Sequence, residues 1–275
     1  MSWATHPRDG TRIHYEAQGS GPPLVLIMGL GGSVAAWGMQ WPAFTRHHRV
    51  IALDNRGSGL SDKPSVGYTT VVMAEDVLAV MDAEGVDQAI VLGVSMGGLI
   101  AQALYHKAPE RTRALVLAAT GPPVTSPDHE PPEPEVRAVL ERDRYSHEAH
   151  ELIEALVSVF YHPNYRKRIP NLVDWLVAFE AQQGQPAHGY HGQLSAILED
   201  RSTPDRAESI RVPVLVIHGR HDRVWPLANA ERLVQRLPDA RLHVVDGAAH
   251  MLMLEQPRAF NAAVLELTTS VEDTS

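Results

Sequence analysis

Gly93-Val94-Ser95-Met96-Gly97-Gly98 stands between an apolar run, Ala89-Ile90-Val91-Leu92, and a helix-patterned stretch, Leu99-Ile100-Ala101-Gln102-Ala103-Leu104. A G-x-S-x-G turn between strand and helix is what a nucleophile elbow requires, because the serine sits at the tip of a tight, strained reversal that small residues on either side permit. Ser95 is therefore the candidate nucleophile. The Met96 amide, at the mouth of the following helix, is placed to face a developing oxyanion. A Gly-rich strand-to-helix connection with an incidental serine would read the same, so the weight falls on the partners of Ser95.

Working outward, short apolar runs recur at Leu24–Met28, Val50–Leu53, Ile90–Leu92, Leu115–Leu117, Val214–Ile217 and Leu242–Val245, the pattern of strands covered on both faces. Residues 3–18 read as a hairpin turning at Asp9-Gly10, which gives the sheet an antiparallel edge. Helical patterns at about 71–84, 96–107, 227–237 and 257–267 alternate with these runs. Eight strands, mostly parallel, with helices on both faces are expected, and loops at strand C-terminal ends then carry function.

The alternation breaks at residues 121–206. Pro122-Pro123, Pro127, Pro131-Pro132 and Pro134 punctuate the chain, and then Leu152, Ile153, Leu156, Val157 and Phe160, followed by Leu172, Val173, Leu176, Val177 and Phe179, draw apolar stripes without strand signals. The division expected is a core of residues 1–120 and 207–275 and a helical lid of 121–206 packed over Ser95. An ornament elsewhere on the surface is the alternative.

Composition narrows the chemistry. The 275 residues are 44% hydrophobic and 21% charged with net charge −9, a balance suited to a soluble enzyme and poor for phosphate neutralisation, so nucleic acid is not expected as a partner. Arg166-Lys167-Arg168 reads as a solvated helix face. The absence of cysteine removes disulfides, thiolate metal sites and cysteine nucleophiles together. Neither a leader pattern at Met1–Pro7 nor an apolar stretch long enough to span a bilayer is written in the chain, so a cytoplasmic protein without membrane contact is expected.

A serine hydroxyl needs a base, and the base needs a carboxylate to orient it. Of fifteen histidines, His250 follows the last core strand in Val244-Val245-Asp246-Gly247-Ala248-Ala249-His250, on the functional edge. His218 belongs to a strand end, and His221 sits beside a better acid. His6, His14, His47, His48, His106, His129, His147, His150, His162, His188, His191 and His243 fall on helix faces, edge strands or loops of the insertion, where structural roles are expected. Asp222, just past Val214–Ile217, is the candidate acid. Its rivals are Asp246, read as a loop-capping residue, and Asp54, read as holding its own turn through Arg56 or backbone amides. The loop Gly29-Leu30-Gly31-Gly32 lets backbone amides approach a substrate, with the Leu30 N–H as second oxyanion donor. It lacks the spacings of a phosphate cradle.

Four segments in order resemble the α/β-hydrolase superfamily: Gly93–Gly98, Asp54-Asn55-Arg56-Gly57-Ser58-Gly59-Leu60-Ser61-Asp62-Lys63-Pro64, Gly219-Arg220-His221-Asp222 and Gly247-Ala248-Ala249-His250. Gly-x-Ser-Met-Gly-Gly and a compact helical cap are similar to small bacterial esterases, 3-oxoadipate enol-lactone hydrolases and cofactor-free haloperoxidase-like perhydrolases. The resemblance implies hydrolysis of a small-molecule ester or lactone by Ser95, His250 and Asp222 without metal or organic cofactor. A serine in place of an aspartate nucleophile disfavours haloalkane dehalogenase and epoxide hydrolase chemistry. One departure is Met28-Gly29 where many relatives carry His-Gly, which removes a polar group that braces the oxyanion loop. Gly29, Phe160 and Trp225 are candidate substrate contacts. Tyr161, Tyr165, Trp175, Phe179 and Tyr190 are further aromatic candidates, for each of which taken singly packing is the preferred reading, and Trp37 and Trp225 flank the oxyanion and acid loops from the core side. Peracid formation, carbon–carbon bond hydrolysis and a ligand receptor that keeps the pocket remain open beside ester hydrolysis, and the oligomeric state is not legible.

Overall fold

A computed structural model describes residues 2–142, 148–199, 201 and 205–273. His147 lies outside the described residues. Eight strands form one sheet in the order β1-β2-β4-β3-β5-β6-β7-β8. They are β1 (Ser2–Thr5), β2 (Arg12–Gln18), β3 (Pro23–Ile27), β4 (Arg49–Leu53), β5 (Ala89–Val94), β6 (Thr112–Ala118), β7 (Val214–Gly219) and β8 (Ala240–Val245). β1 pairs antiparallel with β2 and β2 antiparallel with β4, while every pairing from β4 to β8 is parallel. This is the mostly parallel sheet expected, with its antiparallel edge.

Side-chain alternation along the strands divides the interior into two layers. Val25, Ile27, Ile51, Leu53, Val91, Leu115 and Val216 meet Met73, Val77 and Met81 of the helix Thr70–Ala83, Ile100 and Leu104 of Met96–Lys107, and Leu233 of Leu227–Arg236. Leu24, Leu26, Val50, Ile90, Leu92 and Leu215 face the other way, onto Trp37, Phe44 and the C-terminal helix Pro257–Asp273 through Phe260, Val264 and Leu267. Each such side chain, fully withdrawn from water, contributes about 1.5–3 kcal/mol. Helices on both faces follow from strands that are apolar on both.

β8 departs from that expectation. Its side chains alternate between partly covered and exposed up to a buried Val245, because it pairs with β7 alone and closes the sheet as an edge. Arg241 on its outward face is paired with Glu266. Charge on an exposed edge also discourages further strand pairing.

Between β6 and β7 the described residues form five α-helices, Pro134–Leu140, Ala149–Phe160, Pro163–Arg168, Leu172–Gln183 and Ala187–Leu198, followed by a short 3-10 turn at Ala207–Ser209. The stripes read in the sequence meet each other here. Ile153 and Val157 pack with Leu172, Val173, Leu176 and Val177. Among the described residues no helix is long and apolar enough to cross a membrane.

Candidate active site

The turn that presents Ser95 is built by steric necessity. Ser95 sits at φ 56° and ψ −119°, a conformation that non-glycine residues rarely hold and that costs about 1–3 kcal/mol. Its amide donates to Ala118 O at 2.8 Å and its carbonyl accepts from Gly98 N at 2.9 Å, so the strained residue is fixed on both sides. A methyl group at Gly93 would collide with the Gly97 carbonyl, one at Gly97 with the Ile27 carbonyl, and one at Gly98 with the Thr120 side chain. The three glycines let strand, helix and neighbouring β3 approach closely enough to lift the serine off the sheet.

The loops after β7 and β8 converge beside it. His250 Nδ1 lies 2.8 Å from Asp222 Oδ2, with both residues almost fully buried. Asp222 Oδ1 accepts from the amides of Val224 at 2.8 Å and Trp225 at 2.9 Å, which fixes the carboxylate and leaves Oδ2 for the imidazole. Acceptance by a carboxylate assigns the proton to Nδ1 and leaves Nε2 as the lone-pair nitrogen. A second ring flanks the acid. His218, buried in β7, donates from Nε2 to Trp225 O at 2.7 Å and stands 3.4 Å from Asp222 Oδ2. Burial lowers its affinity for a proton, against the pull of Asp222, so this ring stays neutral at ordinary pH.

Gly29, Leu30, Ser95, Phe160, Trp225 and His250 all line one cavity of about 880 Å³. Tyr161, Tyr165, Trp175, Phe179 and Tyr190 line it too, so the inserted helices form one wall and the strand ends the other. Met96 is buried behind that wall, its amide at the first position of the helix Met96–Lys107. Asp222 lies behind His250. Trp37 belongs to the core rather than to the cavity. A Cβ added at Gly29 would stand 3.0 Å from the Ser95 Cβ, so the Gly29–Gly32 loop rides directly against the elbow. Among the described residues the Ser95 hydroxyl makes no hydrogen bond to a protein group, and such bonds commonly close only when substrate is present.

The rival acids have other work. Asp54 takes the amides of Val34 at 2.7 Å and Leu60 at 2.9 Å together with His14 Nδ1 at 2.8 Å. Of the two holds that the sequence offers Asp54, the backbone amides are the one made; Arg56 turns to Asp76, at 2.6 and 2.7 Å, and to Asp9 at 3.0 Å. A fully buried guanidinium needs full neutralisation, and the bidentate grip of the equally buried Asp76 provides it better than the already saturated Asp54. Asp246 is exposed and paired with Arg220 rather than capping a loop.

Two residues at the site carried no signal in the sequence. Glu255 is buried; Oε1 accepts from Ala249 N at 3.0 Å and Oε2 from His162 N at 2.8 Å, tying the histidine loop to the insertion. Burial pushes its carboxyl up to about 6 despite those two amides and the nearby His250. Gln193, on the helix Ala187–Leu198, accepts from Gly31 N of the Gly29–Gly32 loop at 2.8 Å. Phe160 contributes more than a ring: its carbonyl accepts from the amides of His250 at 3.1 Å and Met251 at 3.2 Å, while the ring meets the imidazole edge-on at 5.1 Å. Among the described residues no cluster of three or more histidine, aspartate and glutamate side chains is placed to hold a metal ion.

A family model described as alpha/beta hydrolase fold matches residues 22–257. The chain belongs to this family. It is 31% identical over 247 residues to 3-oxoadipate enol-lactonase 2 of Acinetobacter baylyi, covering 90% of this chain and 88% of that protein. It is 32% identical over 275 residues to a non-heme chloroperoxidase of Streptomyces lividans, covering 95% and 98%. The crystal structure of the enol-lactonase from Burkholderia xenovorans LB400 superimposes with a TM-score of 0.82 at 28% identity, over 98% of this chain and all of that one. Hydrolases of this fold share architecture more than substrate, and relatives with different reactions stand at the same distance from this chain.

Proposed function

We propose that this α/β hydrolase cleaves neutral carboxylic esters or lactones through an acyl-enzyme formed on Ser95. The observation that carries the reading is the 2.8 Å contact of Asp222 with His250 Nδ1, made while His250 and Ser95 share the wall of one cavity. In this scheme Ser95 Oγ attacks the carbonyl carbon as His250 Nε2 takes its proton. The oxyanion is received by the amides of Leu30 and Met96, neither of which is spent on another protein group among the described residues. Collapse breaks the ester bond, and the imidazolium returns the proton to the departing alkoxide. Water then attacks the acyl-enzyme with the same proton path, so no cofactor enters the cycle.

Gly29, Phe160 and Trp225 are assigned to substrate contact. Arg137 is the only lysine or arginine among the described lining residues, and its Nε is held by Glu141 at 2.7 Å. A substrate with a free carboxylate would find no unpaired cation there, whereas an apolar acyl or aryl group would meet the aromatic wall. The cap assigned to this pocket is residues 121–206, on a core of 1–120 and 207–275, and the reading is of a cytoplasmic enzyme acting on a small molecule.

The test is a panel of neutral esters of graded acyl length, aryl esters and lactones, run on wild type and Ser95→Ala. Turnover by wild type and a loss of several powers of ten in the variant, with an unchanged melting temperature, are expected. No turnover across the panel, or a Ser95→Ala variant that keeps most of it, would refute the assignment.

A further inference from the structure

The oxyanion loop is a four-residue turn whose geometry can be read peptide by peptide. Gly32 N donates to Gly29 O at 3.1 Å, which makes Gly29-Leu30-Gly31-Gly32 a β-turn, and Gly31, its third residue, has φ +74°. A positive φ at that position belongs to the turn type in which the central peptide, between Leu30 and Gly31, is flipped relative to the commoner form. The N–H of that central peptide is Gly31 N, and it donates to Gln193 Oε1 at 2.8 Å.

Gln193 is fully buried and is anchored at its other end. Its Nε2 donates to Arg56 O at 2.8 Å and approaches Ser58 Oγ at 3.3 Å, while Gln185 Nε2 adds a longer contact to Oε1 at 3.3 Å. The Arg56 guanidinium itself points away, to Asp76 and Asp9. The helix Ala187–Leu198 that carries Gln193 sits hard against this part of the core: a methyl at Gly189 would stand 2.6 Å from the Gly57 carbonyl oxygen, and one at Gly192 would collide with the Tyr68 ring. The amide side chain therefore has a fixed distance to span, from a rigid floor to the turn.

The two peptides that flank Leu30 are thus held independently, the first through Gly29 O by Gly32 and the second through Gly31 N by Gln193. The Leu30 N–H belongs to the first of these peptides, trans to Gly29 O, and the hold on the second fixes the turn about the Leu30 Cα, so that together they aim it. Met28 offers no polar group for this purpose, and Asn55 Nδ2 braces only the Met28 carbonyl, at 2.8 Å, on the near side of the turn. We propose that Gln193 is a positioning residue that sets the Leu30 amide for the oxyanion, so that the donor is organised only while the helix Ala187–Leu198 is docked. This rests on the ester or lactone hydrolysis proposed above.

The experiment compares wild type, Gln193→Leu and Gln193→Glu on the best neutral ester of the panel, with kcat and KM resolved over a range of pH and melting temperatures recorded alongside. Deleting an oxyanion donor outright costs about 10²–10³ in kcat, so misaiming one is expected to cost Gln193→Leu about 10–100-fold in kcat with KM changed by less than about threefold. Gln193→Glu supplies a readout that a merely structural role would not move. Protonated, its carboxyl is an isostere of the amide, accepting from Gly31 and donating to the Arg56 carbonyl; ionised, it faces that carbonyl without a proton. Its kcat relative to wild type should climb as the pH falls, while the ratio for Gln193→Leu stays flat. A Gln193→Leu kcat within twofold of wild type overturns the proposal. Should that variant fail to fold, a pH-independent ratio for Gln193→Glu overturns it alone. A wild type without esterase or lactonase turnover takes down the underlying reading and this inference together, whereas turnover that is indifferent to residue 193 removes only the inference.

Discussion

Replacing Glu255 by glutamine should change how stability responds to acid, and the change can be worked out in advance. The carboxyl is buried, so its charge costs more in the folded chain than in water, and its pKa rises from 4.5 to about 6. At about 1.4 kcal/mol for each tenfold change in proton affinity, this corresponds to about 2 kcal/mol. Between those two pH values the folded protein keeps the proton while the unfolded chain has released it, so stability falls as the pH rises. The contribution is fully present below about pH 4.5 and lost once the pH has passed about 6. The Glu255→Gln variant carries a second, constant cost, because its amide oxygen can accept from Ala249 or His162 but its NH₂ cannot accept from the other. Subtracting the two curves cancels every shared titrating group and leaves that cost as a constant offset, so the change in the difference with pH reports Glu255 alone. Urea unfolding of wild type and Glu255→Gln across this range should therefore give a difference in stability that shrinks by about 2 kcal/mol from the acid end to neutrality. Parallel curves would mean that the carboxylate is fully compensated by its two amides and that burial does not govern it.

Three further outcomes follow from the site. Ser95→Gly should abolish turnover yet raise the melting temperature, since glycine accepts φ 56° and ψ −119° without strain of about 1–3 kcal/mol, a gain larger than its added chain entropy of about 0.5–1 kcal/mol; a lower melting temperature would contradict the strain argument. Asp222→Asn should keep the fold, because Oδ1 can still receive Val224 and Trp225, but lower kcat by about 10⁴-fold by offering His250 the wrong hydrogen-bond partner. A loss below tenfold would detach Asp222 from the imidazole's orientation. Esters that carry a free carboxylate should show higher KM than neutral esters of equal length, with Arg137→Ala leaving that ratio unchanged; a preference for the carboxylates would place an unpaired cation in the cavity.

Much of the fold and of the candidate site was legible in the sequence, for a reason that the elbow illustrates. Gly93, Gly97 and Gly98 are dictated by contacts within or beside their own turn, so a local string encodes a local geometry. Asp222 and His250 could be picked because each follows a strand, and strand ends gather on one edge whatever the loops do. Position along the chain leaves two holds open for Asp54, backbone amides or Arg56; the amides are the ones made, and Arg56 is satisfied by Asp76 twenty residues away. Leu242–Val245 reads with the covered strands, but β8 carries Arg241 and His243, and its place at the end of the sheet order leaves both exposed. Gln193 was silent because its partner Gly31 is 162 residues away, and Glu255 because the contact that ties it to the insertion, with His162, spans 93 residues, neither following a periodicity.

Position 160 combines two jobs that evolution or design can treat separately. The tether on the histidine loop runs through its main-chain oxygen, which is the same whatever residue is encoded, whereas the ring projects into the cavity beside the imidazole. Swapping that ring for a smaller or differently shaped group would remodel the cavity while the backbone clamp on His250 persists. The site thus has a dial for selectivity mounted on a fixture that does not turn with it.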